Sequence, residues 1–241
     1  MTQPRGGRFA HGGAGGRDPD TGTPQRSGEG TLSRLTASGH AAGLEANASF
    51  LEWGVAESWV AGVEDPRARY LVTETQGGAL LAVVYGLGPR PVADKAARIA
   101  IEVLRDRAGE PIWCLMERCH TGLAQTQGAA MTLAEILWSG GTLTWGGIGN
   151  VRGQVVRSTS GRGEIARRLA GVVGFILPHL EASTTRLAGG DVVILANDGV
   201  APGFADNVLI DGHPRSIASR ILRRQARRRN ALVLAARFLG P

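Results

Sequence analysis

The chain has 241 residues, 43% of them hydrophobic and 20% charged, with a formal net charge of +6. That length suits one good-sized domain with an extension, and no apolar run approaches the roughly 18 residues of a membrane span. The N-terminus lacks the apolar core of a secretory signal and is not a myristoylation start, so a soluble cytoplasmic protein is the expectation.

Residues 1–46 are rich in Gly, Arg, Ser, Thr and Pro and carry almost no aliphatic clustering. Such a segment cannot bury enough surface to offset chain entropy. It reads as a disordered tail ahead of a folded domain over 47–241. Phe50–Ala56 reads as a first strand. Arg69–Glu74 and Ala79–Val84 flank Gln76-Gly77-Gly78, which predicts a hairpin. Pro91 opens a helix to about Arg107, with Ala93, Ala96, Ala97, Ala100, Ile101 and Leu104 on one face. Pro111 opens a second, with Ile112, Leu115, Met116, Cys119 and Leu123 in the same period.

Strands follow. Ala129–Trp138 and Thr142–Ile148 form a hairpin over Ser139-Gly140-Gly141, and Val151–Arg157 continues the meander after Gly149-Asn150. Residues 158–168 are a polar, arginine-rich connection. Ser183–Leu187 and Asp191–Ala196 read as a hairpin over Ala188-Gly189-Gly190. Pro214 to about Arg227 is a helix with Ile217, Ala218, Ile221 and Leu222 facing inward, and Ala231–Phe238 is a closing strand. The expected class is α+β: two packed, mostly antiparallel β-sheets flanked by helices.

The chemistry-bearing signals are few. Cys114 and Cys119 have neither Cys-x-x-Cys nor zinc-knuckle spacing and read as free thiols. The basic excess is concentrated in Arg220, Arg223, Arg224, Arg227, Arg228 and Arg229 of the last helix rather than spread over a face. This argues against nucleic acid as a partner and reads first as a solvated face, with phosphate binding the alternative. Trp53, Trp113, Trp138 and Trp145 are expected in the core. There is no Gly-Lys pair of a P-loop, no Gly-x-Ser-x-Gly elbow and no His-Glu-x-x-His.

Two strand ends are the most telling. The apolar run Asp191–Ala196 ends in Asn197-Asp198-Gly199, and Ala79–Val84 ends in Tyr85-Gly86-Leu87-Gly88. Taken with Phe50–Ala56, Arg69-Tyr70-Leu71-Val72, Thr126-Gln127-Gly128, Thr142–Val151, Gly171-Val172-Val173-Gly174, Gly203–Asp206 and Ala231–Arg237, this order resembles the PPM-type serine/threonine protein phosphatases. The likeness is closest to the small SpoIIE-type and RsbX-like bacterial branch and spans about residues 50–237.

That resemblance implies hydrolysis of phosphoserine or phosphothreonine by two Mg²⁺ or Mn²⁺ ions roughly 3.5–4 Å apart. Such ions want oxygen ligands, above all Asp carboxylates. Carried over position by position, most are missing. Where the family has Asp, this chain has Ala68 and Tyr85; after the second of these stand Pro89 and Arg90; the acidic pair before the last strand is Arg229-Asn230. Asp198 survives and is the candidate metal ligand. Among Glu64, Asp65, Glu74 and Asp94, the best substitute is Asp94, a weak candidate expected in the first turn of its helix, where an acidic residue also favours the helix N-terminus.

Two functions follow from the resemblance. One is a phosphatase-family regulator acting on phosphorylated proteins of a partner-switching stress pathway, of stressosome or anti-sigma type, with weak or lost activity and Mn or Mg as cofactor if active. The other is a pseudophosphatase that docks the phosphoprotein, with no cofactor.

Overall fold

The computed structural model describes residues 25–33, 49–58, 67–161, 163–227 and 230–240. In chain order the elements are β1 (Gln25–Ser33), β2 (Ser49–Ser58), β3 (Ala68–Thr75), β4 (Gly78–Gly86), α1 (Arg90–Asp106), α2 (Ile112–Gly122), β5 (Ala129–Leu137), β6 (Thr142–Ile148), β7 (Arg152–Val156), β8 (Arg168–Leu169), β9 (Ser183–Arg186), β10 (Val192–Ala196), α3 (Pro214–Gln225) and β11 (Ala231–Phe238). One sheet runs β1-β2-β11-β10-β7 and the other β3-β4-β5-β6-β8, with β9 also on β6. All pairings are antiparallel except the short β6–β8 ladder. This is the two-sheet α+β sandwich the pattern predicts.

Period-2 alternation splits each central strand between two cores. On β4, Ala79, Leu81 and Val83 pack between the sheets, whereas Leu80, Ala82 and Val84 pack under α1 and α2. On β10, Val193 and Leu195 face the other sheet, and Val192, Ile194 and Ala196 face α3. Strands buried on both faces read as continuous apolar runs, which is why these two were legible. Small residues set the spacing. The buried face of α1 begins Ala93, Ala96, Ala97, Ala100, and a Cβ on Gly86 would stand 1.9 Å from the Ala93 carbonyl oxygen. Across the molecule, a Cβ on Gly54 would stand 2.3 Å from the Arg215 nitrogen at the start of α3.

The start of β10 is held by a polar knot. The carboxylate of Asp191 accepts from the Ser158 amide (2.8 Å), the Ala188 amide (2.9 Å) and the Arg157 guanidinium (2.7 Å). Arg157 also grips Glu164. Burial pushes the Asp191 carboxyl up, but the two amides and Arg157 outweigh it and hold it below the ordinary carboxylate range.

Several expectations differ from the structure. Val151–Arg157 does not continue the meander: at Gly149 (φ +84°) the chain leaves one sheet and β7 pairs with β10 in the other. Nor do β9 and β10 form a hairpin, since β9 pairs with β6 and β10 with β7 and β11. Alternation fixes which way a side chain points, not which strand lies alongside. The tail expected to be disordered over 1–46 contains β1, which pairs with β2 from Gln25↔Ser58 to Ser33↔Ser49. Backbone hydrogen bonds to a sheet edge need no apolar sequence. The rest of 1–46 lies outside the described residues, as do Trp59, Glu64, Asp65, Arg228 and Arg229. Trp145 is buried and Trp53 and Trp138 pack against the inter-sheet core, but Trp113 is 47% exposed on α2.

Candidate functional site

Both glycine-containing strand ends arrive at one end of the sandwich. In one sheet, β4 ends at Tyr85-Gly86 opposite Ala68 and Ala129–Ala130. In the other, β10 ends at Ala196, opposite Arg152 at the start of β7 and Val233 near the start of β11. Asn197 pins that end: its side chain donates to the Asn230 carbonyl (2.7 Å) and accepts from the Leu232 amide (3.0 Å). Asp198-Gly199 follows directly, half-buried at Asp198. The two glycines are kept for packing: Gly86 meets Ala93 as described, and a Cβ on Gly199 would stand 2.5 Å from the Asn230 oxygen.

Segment 163–169 bridges the two sheets at this end. Val155 donates to Glu164 and Ala166 to Gly153 on β7; then Gly147 donates to Arg167 and Gly149 to Leu169 on β6. The crossing carries Arg168 to the mouth of a cleft of about 520 Å³ lined by Leu87, Ala130, Gly149, Asn150 and Gly171. The Arg168 guanidinium donates to the Gly149 carbonyl at 2.9 Å. Arg152 reaches the Val200 carbonyl at 3.3 Å, and the Arg227 amide donates to Gly199 at 2.8 Å. Burial lowers the pKa of Arg152, and the nearby positive charges of Arg168 and Arg227 lower it further, against a raising effect of Asp198. Asp198 is thus the acidic neighbour of Arg152, which also feels two other arginines.

Of the two candidate metal ligands, Asp198 stands at this end and Asp94 is turned away from it. Ala68, Tyr70 and Val72 of β3 face the inter-sheet core and Leu71 faces the helices, so Arg69 lies on the helix side. There its guanidinium pairs with Asp94 at 2.6 Å. Because α1 starts at Arg90, Asp94 sits in its second turn rather than its first, and no acidic residue occupies the first. Tyr85 packs against the inter-sheet core, where the resemblance would place a carboxylate.

One carboxylate at this end went unnoticed in the sequence. Glu57 follows Ala56 on β2, opposite Leu232, and lies close enough to Tyr70 to raise its phenol pKa, second to burial. Among the described residues, no group of three or more His, Cys, Asp or Glu side chains converges to hold a metal ion. Two hard cations need several carboxylates at close range, and the described residues do not fit such a pair. Arg152 and Arg168 were also missed: each sits in an ordinary polar stretch, and only the crossing of segment 163–169 brings them to one place.

No protein-family model matches the sequence, and no curated protein matches it. Solved structures do match. RsbX in complex with magnesium aligns at 17% identity over 86% of this chain and 99% of its own, with a TM-score of 0.70. A chain from a structure described as "The bacterial stressosome: a modular system that has been adapted to control secondary messenger signaling" aligns at 24% identity over 78% of this chain and 99% of its own (TM-score 0.69). The catalytic domain of the serine/threonine phosphatase PstP, with two manganese ions, aligns at 17% over 79% and 99% (TM-score 0.61). The fold is that of the PPM-type serine/threonine phosphatases.

Proposed function

We propose that this protein is a PPM-fold regulator of a partner-switching stress pathway that docks a phosphorylated regulatory protein rather than hydrolysing it. The observation that carries this reading is the exchange of charge at the strand ends. Tyr85 and Ala68 stand where the resemblance expects metal-binding carboxylates, and the remaining Asp198 neighbours Arg152, on which Arg168 and Arg227 also act. Such a site repels cations and attracts a phosphate. The likeness to a stressosome chain and to the RsbU and RsbW domains of a mycobacterial protein supports a regulatory protein as partner; we infer that this partner carries phosphoserine or phosphothreonine. The absence of any described helix long and apolar enough to cross a membrane is consistent with a cytoplasmic setting.

A second reading, a weakly active RsbX-like phosphatase using Mn²⁺ or Mg²⁺, draws on Asp198 and Glu57. These lie at the same end, Asp198 just beyond β10 and Glu57 on β2, the strands flanking β11.

The test is phosphate release from a phosphoserine peptide with and without Mn²⁺, beside a Tyr85→Asp, Arg229→Asp double variant. Docking predicts no turnover by the natural chain under either condition and some Mn²⁺-dependent turnover in the variant. Mn²⁺-dependent turnover by the natural chain overturns it in favour of the second reading.

A further inference from the structure

We propose that Arg168 and Asn150, in the cleft beside Gly149 and Gly171, form with the neighbouring Arg152 a metal-independent binding site for a phosphomonoester dianion. The inference rests on the docking reading above and says which residues hold the phosphate.

Three independent observations converge on this place. The first is donor supply. Among the described residues the Arg168 side chain spends one hydrogen bond, on the Gly149 carbonyl, and Arg152 spends one long one, on Val200. A guanidinium carries five N–H donors in a planar fork matched to phosphate oxygens, so most of their capacity is uncommitted. The second is Asn150. It lines the same cleft, and its Oδ1 is buried without a hydrogen-bond partner. A buried polar atom left unpaired is costly and marks a place where a ligand or water belongs. Flipped about its Cβ–Cγ bond, the same side chain offers Nδ2–H to an anion. The third is mutual repulsion. Arg152 feels both Arg168 and Arg227, and like charges held together are relieved by an anion between them.

The cleft also suggests what carries the phosphate. Its volume, about 520 Å³, lies in the range of ordinary ligand sites and exceeds what free phosphate needs. Gly171 and Val172 form part of its wall. From them projects a tight turn in which Val172 and Ile176 exchange backbone hydrogen bonds, leaving Phe175 75% exposed and Ile176 56% exposed. His120 on α2 fixes this turn, its Nδ1 accepting the Gly174 amide at 3.0 Å. An apolar pair fixed beside a basic site suits a phosphoserine or phosphothreonine in a protein segment with a neighbouring apolar side chain.

Calorimetric titration of the full chain in EDTA tests this. The probes are inorganic phosphate, a phosphoserine peptide with flanking leucines, its unphosphorylated counterpart and a single-stranded oligonucleotide of equal length. The phosphopeptide is expected to bind more tightly than inorganic phosphate, and the unphosphorylated peptide not at all. Arg168→Ala is expected to weaken binding about tenfold or more, the scale of a charge-assisted hydrogen bond. Arg168→Lys should weaken it less, and Arg118→Ala on α2 should not change it. Arg168 is exposed, so its variants fold even if Arg152→Ala does not.

Phosphopeptide binding in EDTA that survives both Arg168→Ala and Arg152→Ala overturns the site but leaves docking intact. Binding that appears only with Mn²⁺ overturns the site, and turnover in the same sample overturns docking as well. Tighter binding of the oligonucleotide than of the phosphopeptide overturns the assignment to a phosphoprotein.

Discussion

β10 carries an aspartate at each end, and the two have opposite fates. Asp191, at the start, is 1% exposed and saturated by two amides and Arg157. Asp198, just past the end, is half-buried beside Arg152 at the mouth of the sandwich. The first ties three segments together at residues 157–158, 188 and 191. The second stands where β4 and β10 deliver their ends to the solvent. The same residue type on the same strand is structural or functional according to what its neighbours leave unsatisfied.

Removing the buried carboxylate should have the largest effect. Asp191→Ala leaves the Arg157 guanidinium, itself only 19% exposed, without its buried partner, and orphans the Ser158 and Ala188 amides. Breaking a buried ion pair from one side costs about 3–5 kcal/mol. The midpoint of urea unfolding should fall accordingly, and a loss under about 1 kcal/mol would mean that the knot is ornamental.

Next comes the packing that keeps the strand ends in place. Gly86→Ala forces a methyl group into the Ala93 carbonyl, and overpacking of this kind costs about 1–3 kcal/mol. Its unfolding midpoint should drop while Gly109→Ala, with open space around it, leaves stability nearly unchanged. An unaffected Gly86→Ala would show that α1 can slide away and that the glycine is kept for some other reason.

The acid limb sharpens the contrast within β10. Asp191 has a folded-state pKa held below its unfolded value. Its contribution to stability is therefore fully present above the unfolded carboxylate value of about 4 and is lost as pH falls through the lower, folded value. Denaturant titrations from pH 6 downward should show stability falling below about pH 4 in the natural chain. In Asp191→Asn that part of the fall should be missing.

Much of this architecture was legible and some was not, for definite reasons. The apolar faces of α1, α2 and α3, and the doubly buried runs of β4 and β10, announce themselves because period and burial are local properties. The separation of β7 from β6 and of β9 from β10 into opposite sheets does not, since strand pairing is a long-range choice. At the site, Gly86 and Gly199 were legible as strand-end glycines, and backbone packs against both, whereas nothing local in the sequence shows what faces Tyr85 and Ala68. Arg152 and Arg168 were invisible as a pair: sixteen positions apart in sequence, they meet only after segment 163–169 crosses between the sheets.

The smallest effect on stability should be the most informative on function. Asp198→Ala removes a half-buried carboxylate beside Arg152, where a partly screened pair contributes less than about 1 kcal/mol. Its effect on anion binding separates the two readings by sign. If Asp198 holds a cation, its loss weakens phosphate binding, because the metal that grips the phosphate goes with it. If arginines do the gripping, the loss removes a negative charge next to them, and phosphopeptide affinity in EDTA rises by a few-fold. A titration of the natural chain and Asp198→Ala, in EDTA and in Mn²⁺, reads that sign directly. A rise in EDTA with no response to Mn²⁺ marks the end of β10 as an anion site. A fall confined to Mn²⁺ makes Asp198 a metal ligand.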